Sequence, residues 1–131
     1  MFSKSCKYGI RAILFLSCHS NENNKYGVKV ISERLNVPQH FLAKILQQLS
    51  RNGLVSSSKG PTGGFYMSKK NNNASLLDII ESIDGPESFK NCVLGFPKCN
   101  SDNPCVMHHN VLKYRKGLLN MLENEKIHET C

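Results

Sequence analysis

Residues Val30–Leu46, VISERLNVPQHFLAKIL, decide how this chain folds. Ile31 and Leu35 are the apolar positions of a short first helix within Val28–Leu35, and Ser32 is small enough for a second helix to cross closely. Asn36 stands at the turn, where the backbone goes left-handed and Asn substitutes tolerably for Gly. Pro38 is expected as the first residue of the second helix, because its fixed φ suits that position and its missing N–H has no helical partner there. That helix should run to about Asn52 and stop at Gly53. Its Leu42, Ile45, Leu46 and Leu49 follow the i, i+3, i+4, i+7 spacing of a half-buried face, and Val37, Leu42 and Ile45 seat it on the first helix. The opposite face carries His40, Lys44, Gln47 and Arg51, all hydrogen-bond donors and none acidic. This is the pattern of a helix-turn-helix, whose second helix fits a DNA major groove about 12 Å wide with its N-terminal side chains at the base edges. Gln39, His40, Ala43, Lys44 and Gln47 are the candidate contacts.

Downstream, Leu54–Ser58 and Gly64–Ser68 are strand candidates around the turn Lys59-Gly60-Pro61-Thr62-Gly63. A hairpin here makes the motif a winged variant, with Lys59, Gly60, Pro61 and Thr62 at a tip that can reach phosphates or the minor groove. Lys69–Asn73 reads as a polar linker, and Ser20–Gly27 as a loop. Ser75 and Asp78 form a capping box for a helix with Leu76, Ile79, Ile80 and Ile83 on one face, ended by Gly85-Pro86. Charge supports a polyanion partner for the first half: residues 1–70 hold eleven Lys and Arg against Glu22 and Glu33, a net of +9, and residues 71–131 hold six bases against eight acids, a net of −2.

At the other end, residues 3–18 read as a buried or docking helix. Arg11 interrupts the apolar stretch after Lys4 and Lys7, leaving Ala12–Leu16 shorter than a signal core of about 7–15 residues. No run of 18 apolar residues exists, so no membrane-spanning helix is expected, and the chain is expected in the cytoplasm. Catalysis finds no support: there is no P-loop, no G-x-S-x-G, no H-E-x-x-H and no paired carboxylates.

Six Cys among 131 residues in a reducing compartment point to metal or redox chemistry, not a disulfide framework. Cys92, Cys99, Cys105 and His108 follow C-x6-C-x5-C-x2-H within and just after an aperiodic segment, Phe89–Pro104. Three thiolates and an imidazole suit a soft metal or an iron–sulfur cluster. The gaps are wider than those of structural zinc sites and do not match ferredoxins, so iron–sulfur, zinc and a thiol switch all stay open on spacing. Cys6 and Cys18 are expected as packed thiols of the first helix. Val106 to about Lys126 reads as a last helix, with Cys105 at its start, and Met107, Val111, Tyr114, Leu118 and Met121 as a heptad seam for a dimer.

The stretches SKSCKYGIRAI, ISERLNVPQHFLAKILQQLSRNGLVSS and KGPTGGF, with the three-Cys loop ahead of a long helix, resemble the IscR/NsrR/CymR family of bacterial winged-helix regulators over roughly residues 3–125. The resemblance implies a mainly α fold with a small β-hairpin wing: a winged helix-turn-helix DNA-binding domain at 1–85, a cysteine-rich cluster-binding loop at 86–105, and a dimerisation helix and tail at 106–131. It implies a homodimeric regulator, a repressor of partly palindromic double-stranded DNA operators, controlled by an iron–sulfur cluster that senses redox state, nitric oxide or cluster supply. By resemblance Cys92, Cys99 and Cys105 are ligands and His108 falls at the fourth-ligand place, with a 2Fe-2S cluster preferred to 4Fe-4S and zinc the lesser choice. The alternative is a zinc-bound or cofactor-free regulator controlled by a partner protein or by thiol oxidation. Three departures stand out. The first Cys gap is six residues where the iron–sulfur-regulating member has five. Lys7 occupies a place where other members carry an acidic ligand for the partner subunit, with Cys6 adjacent as a substitute. Ala43 replaces an acidic residue used in DNA discrimination.

Overall fold

The computed structural model describes residues 2–127. Helix α1 (Lys4–His19) starts where the Ser3 side chain accepts a hydrogen bond from the Cys6 N–H at 3.0 Å. Cys6, Gly9, Ala12, Ile13 and Leu16 form its buried stripe. A loop leads to α2 (Val28–Leu35), which ends at Asn36 with φ 54 and ψ 51, the left-handed turn expected of it. Helix α3 (Gln39–Arg51) starts one residue later than expected. With ψ 128, Pro38 lies outside the helix as its cap, and its carbonyl accepts from the Leu42 N–H at 3.1 Å. Gly53, at φ 74, takes the chain away from α3.

The hairpin is antiparallel, β1 (Ser56–Ser58) against β2 (Gly64–Tyr66), with Ser57 opposite Phe65. Both strands are shorter than the sequence suggests, because Leu54, Val55 and Met67 turn inward and are buried in the core. Tyr26 adds a bridge on the outer edge of β2, exchanging backbone hydrogen bonds with Phe65 at 3.0 and 2.8 Å. A Cβ on Gly64 would lie 2.8 Å from the Tyr26 backbone, so this approach requires glycine.

The expected linker after the wing is instead helix α4 (Lys69–Asn72). Ser68 and Asn71 cap it reciprocally, and Asn71 is buried at 4% exposure. Helix α5 (Leu76–Asp84) carries the predicted Ser75/Asp78 capping box and stops at Gly85, φ 86. Turns without regular structure lead to α6 (His108–Asn124), which begins at His108, so Cys105 precedes the helix instead of opening it. After α6 the chain runs beside the head of α5: the Leu76 N–H donates to the Glu125 carbonyl at 3.0 Å and the Ile127 N–H to the Ala74 carbonyl at 3.1 Å.

The main core joins α1, α2, α3 and α5 through Ile13, Leu16, Ile31, Leu42, Leu46, Leu49 and Ile79, with Ile127 closing it. A second, smaller cluster of Cys6, Ile80, Phe89 and Leu122 ties α1, α5, the root of the cysteine loop and α6 together. The architecture is a winged helix-turn-helix with an added C-terminal helix. Among the described residues no helix is long and apolar enough to cross a membrane.

Candidate functional site

Two surfaces carry the residues singled out in the sequence. The first is the outer side of α3 and the wing. Leu42, Ile45, Leu46 and Leu49 are buried, which turns His40, Lys44, Gln47 and Arg51 to solvent. Gln39 is exposed as well, and Ala43 is half-buried at the margin. The helix is anchored at its far end by Gln48 Nε2 donating to the Ser82 carbonyl and Asn52 Nδ2 to Ser82 Oγ, both at 2.5 Å. Its N-terminal half stands clear of these contacts. Phe41, absent from the sequence-based candidates, is half exposed here with its ring 4.4 Å from that of His40.

At the wing tip Lys59, Gly60, Pro61 and Thr62 are all exposed. Gly60 takes φ 103, and the Gly63 N–H closes the turn onto its carbonyl at 3.0 Å. A Cβ on Gly63 would lie 2.4 Å from the Ser58 carbonyl oxygen, so the tight turn excludes larger residues. At the base, Lys25 sits 5.2 Å from the centre of the Tyr66 ring. Below the wing, Asn71 is a hub. Its Nδ2 donates to the Gly53 carbonyl at 2.8 Å, and its Oδ1 accepts from Ser56 Oγ, Ser68 N and Ser68 Oγ at 2.7, 2.9 and 2.8 Å.

The second surface is the cysteine cleft. The Sγ atoms of Cys92, Cys99 and Cys105 all lie within 4.8 Å of one another. Cys92 and Cys105 are 3.6 Å apart, and His108 Nδ1 lies 3.3 Å from Cys99 Sγ. Turns bring them together: the Gly95 N–H donates to the Cys92 carbonyl at 3.0 Å, and the His108 N–H to the Cys105 carbonyl at 3.1 Å. Burial pushes the Cys92 thiol up, but hydrogen bonds from the backbone at Phe96 and Leu94 and from the thiols of Cys105 and Cys99 outweigh it and bring it down to about 7. For Cys99 the backbone at Cys105 favours the thiolate. Burial and the neighbouring Cys105 and Cys92 oppose it, leaving that thiol raised. One thiolate is therefore readily formed, and it resists formation of the next.

The donor set fits a thiophilic metal centre. Three thiols converge, and the buried Nε2 of His108 has no hydrogen-bond partner among the described residues. Lys90 and Arg115 line the same cleft, placing positive charge beside a group of thiolates. Arg115 also donates to the Asn91 carbonyl, next to Cys92. Neither residue was singled out in the sequence. For Arg115 the signal was present: His108, Val111, Leu112 and Arg115 follow i, i+3, i+4, i+7 and all line the cleft.

The remaining cysteines of the first helix divide. Cys6 is fully buried in the second cluster, and burial, then the charge and hydrogen bond of Asp84, push its thiol up to about 12. That is the environment of a packed thiol and not of a metal ligand. Cys18 is exposed and disulfide-bonded, so it is not the packed thiol expected of it. On α6, Met107, Tyr114 and Met121 of the expected seam are 40%, 64% and 53% exposed, whereas Leu118 is half-buried against the second cluster of its own chain.

Comparison with known proteins agrees with this architecture. The sequence profile of the Rrf2 family, described as an iron-dependent transcriptional regulator, matches residues 2–131. A protein of Aquifex aeolicus named as an HTH-type transcriptional regulator is 35% identical over 111 residues, covering 83% of this chain and 76% of its own length. The HTH-type transcriptional regulator IscR of Pectobacterium atrosepticum is 29% identical over 102 residues, 78% of this chain, which spans only 61% of that relative. Among solved structures, CymR, the global cysteine regulator of B. subtilis, superposes with a TM-score of 0.77 at 21% identity, covering 97% of this chain and 92% of its own. T. potens IscR does so with a TM-score of 0.73 at 23% identity, covering 97% and 82%.

Proposed function

Because the chain belongs to the Rrf2 family of transcriptional regulators, and so is not an enzyme, we propose that it is a cytoplasmic homodimeric repressor whose operator affinity is set by an iron–sulfur cluster. The observation that carries the reading is the convergence of Cys92, Cys99 and Cys105 within 4.8 Å, with His108 beside them, in a chain that also presents a donor-lined recognition helix. Cys92, Cys99 and Cys105 would hold the cluster as thiolates and His108 as a neutral imidazole. When bound, it supplies one-electron redox chemistry and reactivity toward oxidants and nitric oxide, with 2Fe-2S preferred.

The chain's own groups do the rest. Lys90 and Arg115 balance thiolate charge in the cleft. Gln39, His40, Ala43, Lys44 and Gln47 meet base edges, while Lys59, Gly60, Pro61 and Thr62 of the wing meet the sugar–phosphate backbone. The exposed seam of Met107, Tyr114 and Met121 pairs two copies, which sets the spacing of two recognition helices on half-sites.

One observation favours a second reading. Around a single tetrahedral zinc, with Zn–S near 2.3 Å, ligand atoms lie about 3.8 Å apart. The three Sγ atoms lie within 4.8 Å of one another, with His108 Nδ1 3.3 Å from Cys99, so all four donors gather at the spacing of one ion and not as two separated pairs. The two readings divide on an absorption spectrum of protein purified without oxygen. Bands at about 400–460 nm, lost together in Cys92→Ser, Cys99→Ser and Cys105→Ser, are expected of a cluster. A colourless protein with one equivalent of zinc per chain would replace that reading with the second.

A further inference from the structure

The recognition helix carries one feature that its polar contacts do not use. Phe41 is 50% exposed and is the one large apolar side chain that α3 turns to solvent. It belongs to neither core cluster. Its neighbours on the open side of the helix are donors, His40 and Lys44. It is the third residue of α3, in the turn that a helix-turn-helix brings to the base edges. The His40 ring lies against it, 4.4 Å between centroids and tilted by 35°, which restricts how far the Phe41 ring can swing.

The major groove has one apolar feature, the C5-methyl of thymine, and an aromatic side chain is among the groups that contact it. We propose that Phe41 is a specificity-determining residue that packs its ring on a thymine methyl in each half-site, buttressed by His40. This rests on the DNA-binding reading given above. It adds to that reading a preference for an A·T pair read by shape and burial, where Gln39, His40 and Lys44 read by hydrogen bonds.

The test uses the full chain. A duplex enriched from a randomised pool by the wild-type protein is remade with each dT replaced singly by dU, which removes the methyl and keeps the pairing. Wild-type binding should fall about fourfold at one thymine per half-site, the effect of one methyl-sized group returned to water. Phe41→Ala should bind the dT and dU duplexes equally at that position, while Lys59→Ala keeps the fourfold difference on weaker overall binding. Phe41→Leu, which retains an apolar side chain, should keep part of it and stands in if the Ala variant fails to fold. Indifference of the wild type to every methyl, or an undiminished dT/dU ratio in folded Phe41→Ala, would overturn this role for Phe41 alone. Failure to enrich any duplex would remove the DNA-binding reading and this inference with it.

Discussion

Asn71→Ala should detach the wing from the body of the protein, and its cost can be worked from the structure. The amide makes four side-chain hydrogen bonds, to Gly53, Ser56 and twice to Ser68. At a net of about 0.5–1.5 kcal/mol each, four would give about 2–6 kcal/mol. Three of them share one oxygen, however, and the two serine hydroxyls can rotate toward water. The loss is therefore dominated by the Gly53 carbonyl and the Ser68 N–H, which lose a partner in a part-buried site, for about 2–3 kcal/mol. For a chain of this length that is a fall in Tm of about 6–15 °C. Thermal unfolding followed by far-UV circular dichroism measures it, at one fixed protein concentration because a dimer's Tm depends on it. Asn71→Asp is the sharper variant: it keeps the acceptor but turns a charged oxygen toward the Gly53 carbonyl, so it should be at least as destabilising as Ala. Both variants should lose DNA affinity to a similar degree on every sequence, as the proposed contact of the wing with the backbone of the duplex requires. A Tm change below about 2 °C for Asn71→Ala, or a wild-type Tm for Asn71→Asp, would refute the hub.

Two other changes test the rest of the molecule. Met121→Glu places a charge on each side of the proposed seam at a position already half exposed in the single chain, so the fold should persist while sedimentation at micromolar concentration shifts from dimer to monomer; a wild type that sediments as a monomer, or a variant that stays dimeric, contradicts it. Cys6, neutral in the fold up to about 12 against an ordinary value of 9.0, contributes stability that is complete below about pH 9 and declines as pH rises through 12; the urea midpoint should therefore drop more steeply between pH 9 and 11 in the wild type than in Cys6→Ala, each taken relative to its own value at pH 8, and equal slopes would exclude Cys6 as the cause.

The parts of the fold legible in the sequence are those specified by neighbours in the chain. Asn36 takes its left-handed turn, Gly53 and Gly85 stop their helices, and Ser75 with Asp78 forms its capping box, because each depends on residues within about four positions. The parts that were hidden depend on partners far along the chain. Lys69–Asn73 looks like a linker because a run of Asn and Lys has no apolar period. Asn71 is buried because Gly53, 18 residues earlier, and Ser56, 15 residues earlier, satisfy its amide. Leu54, Val55 and Met67 continue a strand pattern in sequence, yet leave the hairpin because the space beneath it belongs to the core. Phe41 is hidden for a related reason: in sequence an apolar residue beside a core stripe looks like part of it, whereas in the fold it is half exposed.

The last helix shows the same limit most clearly, because two stripes overlap on it. One, His108, Val111, Leu112 and Arg115, faces the cysteine cleft. The other, Met107, Tyr114 and Met121, stays at the surface. Tyr114 and Arg115, adjacent within α6, belong to one stripe each, so their side chains diverge by about 100°. A heptad pattern in sequence merges the two, because Val111 satisfies both. In three dimensions they are separate faces of one helix, one toward the cysteine cleft and one toward solvent. In the second cluster Leu122 of α6 packs with Ile80 of α5 and Cys6 of α1, the two helices that also share the main core with the helix-turn-helix.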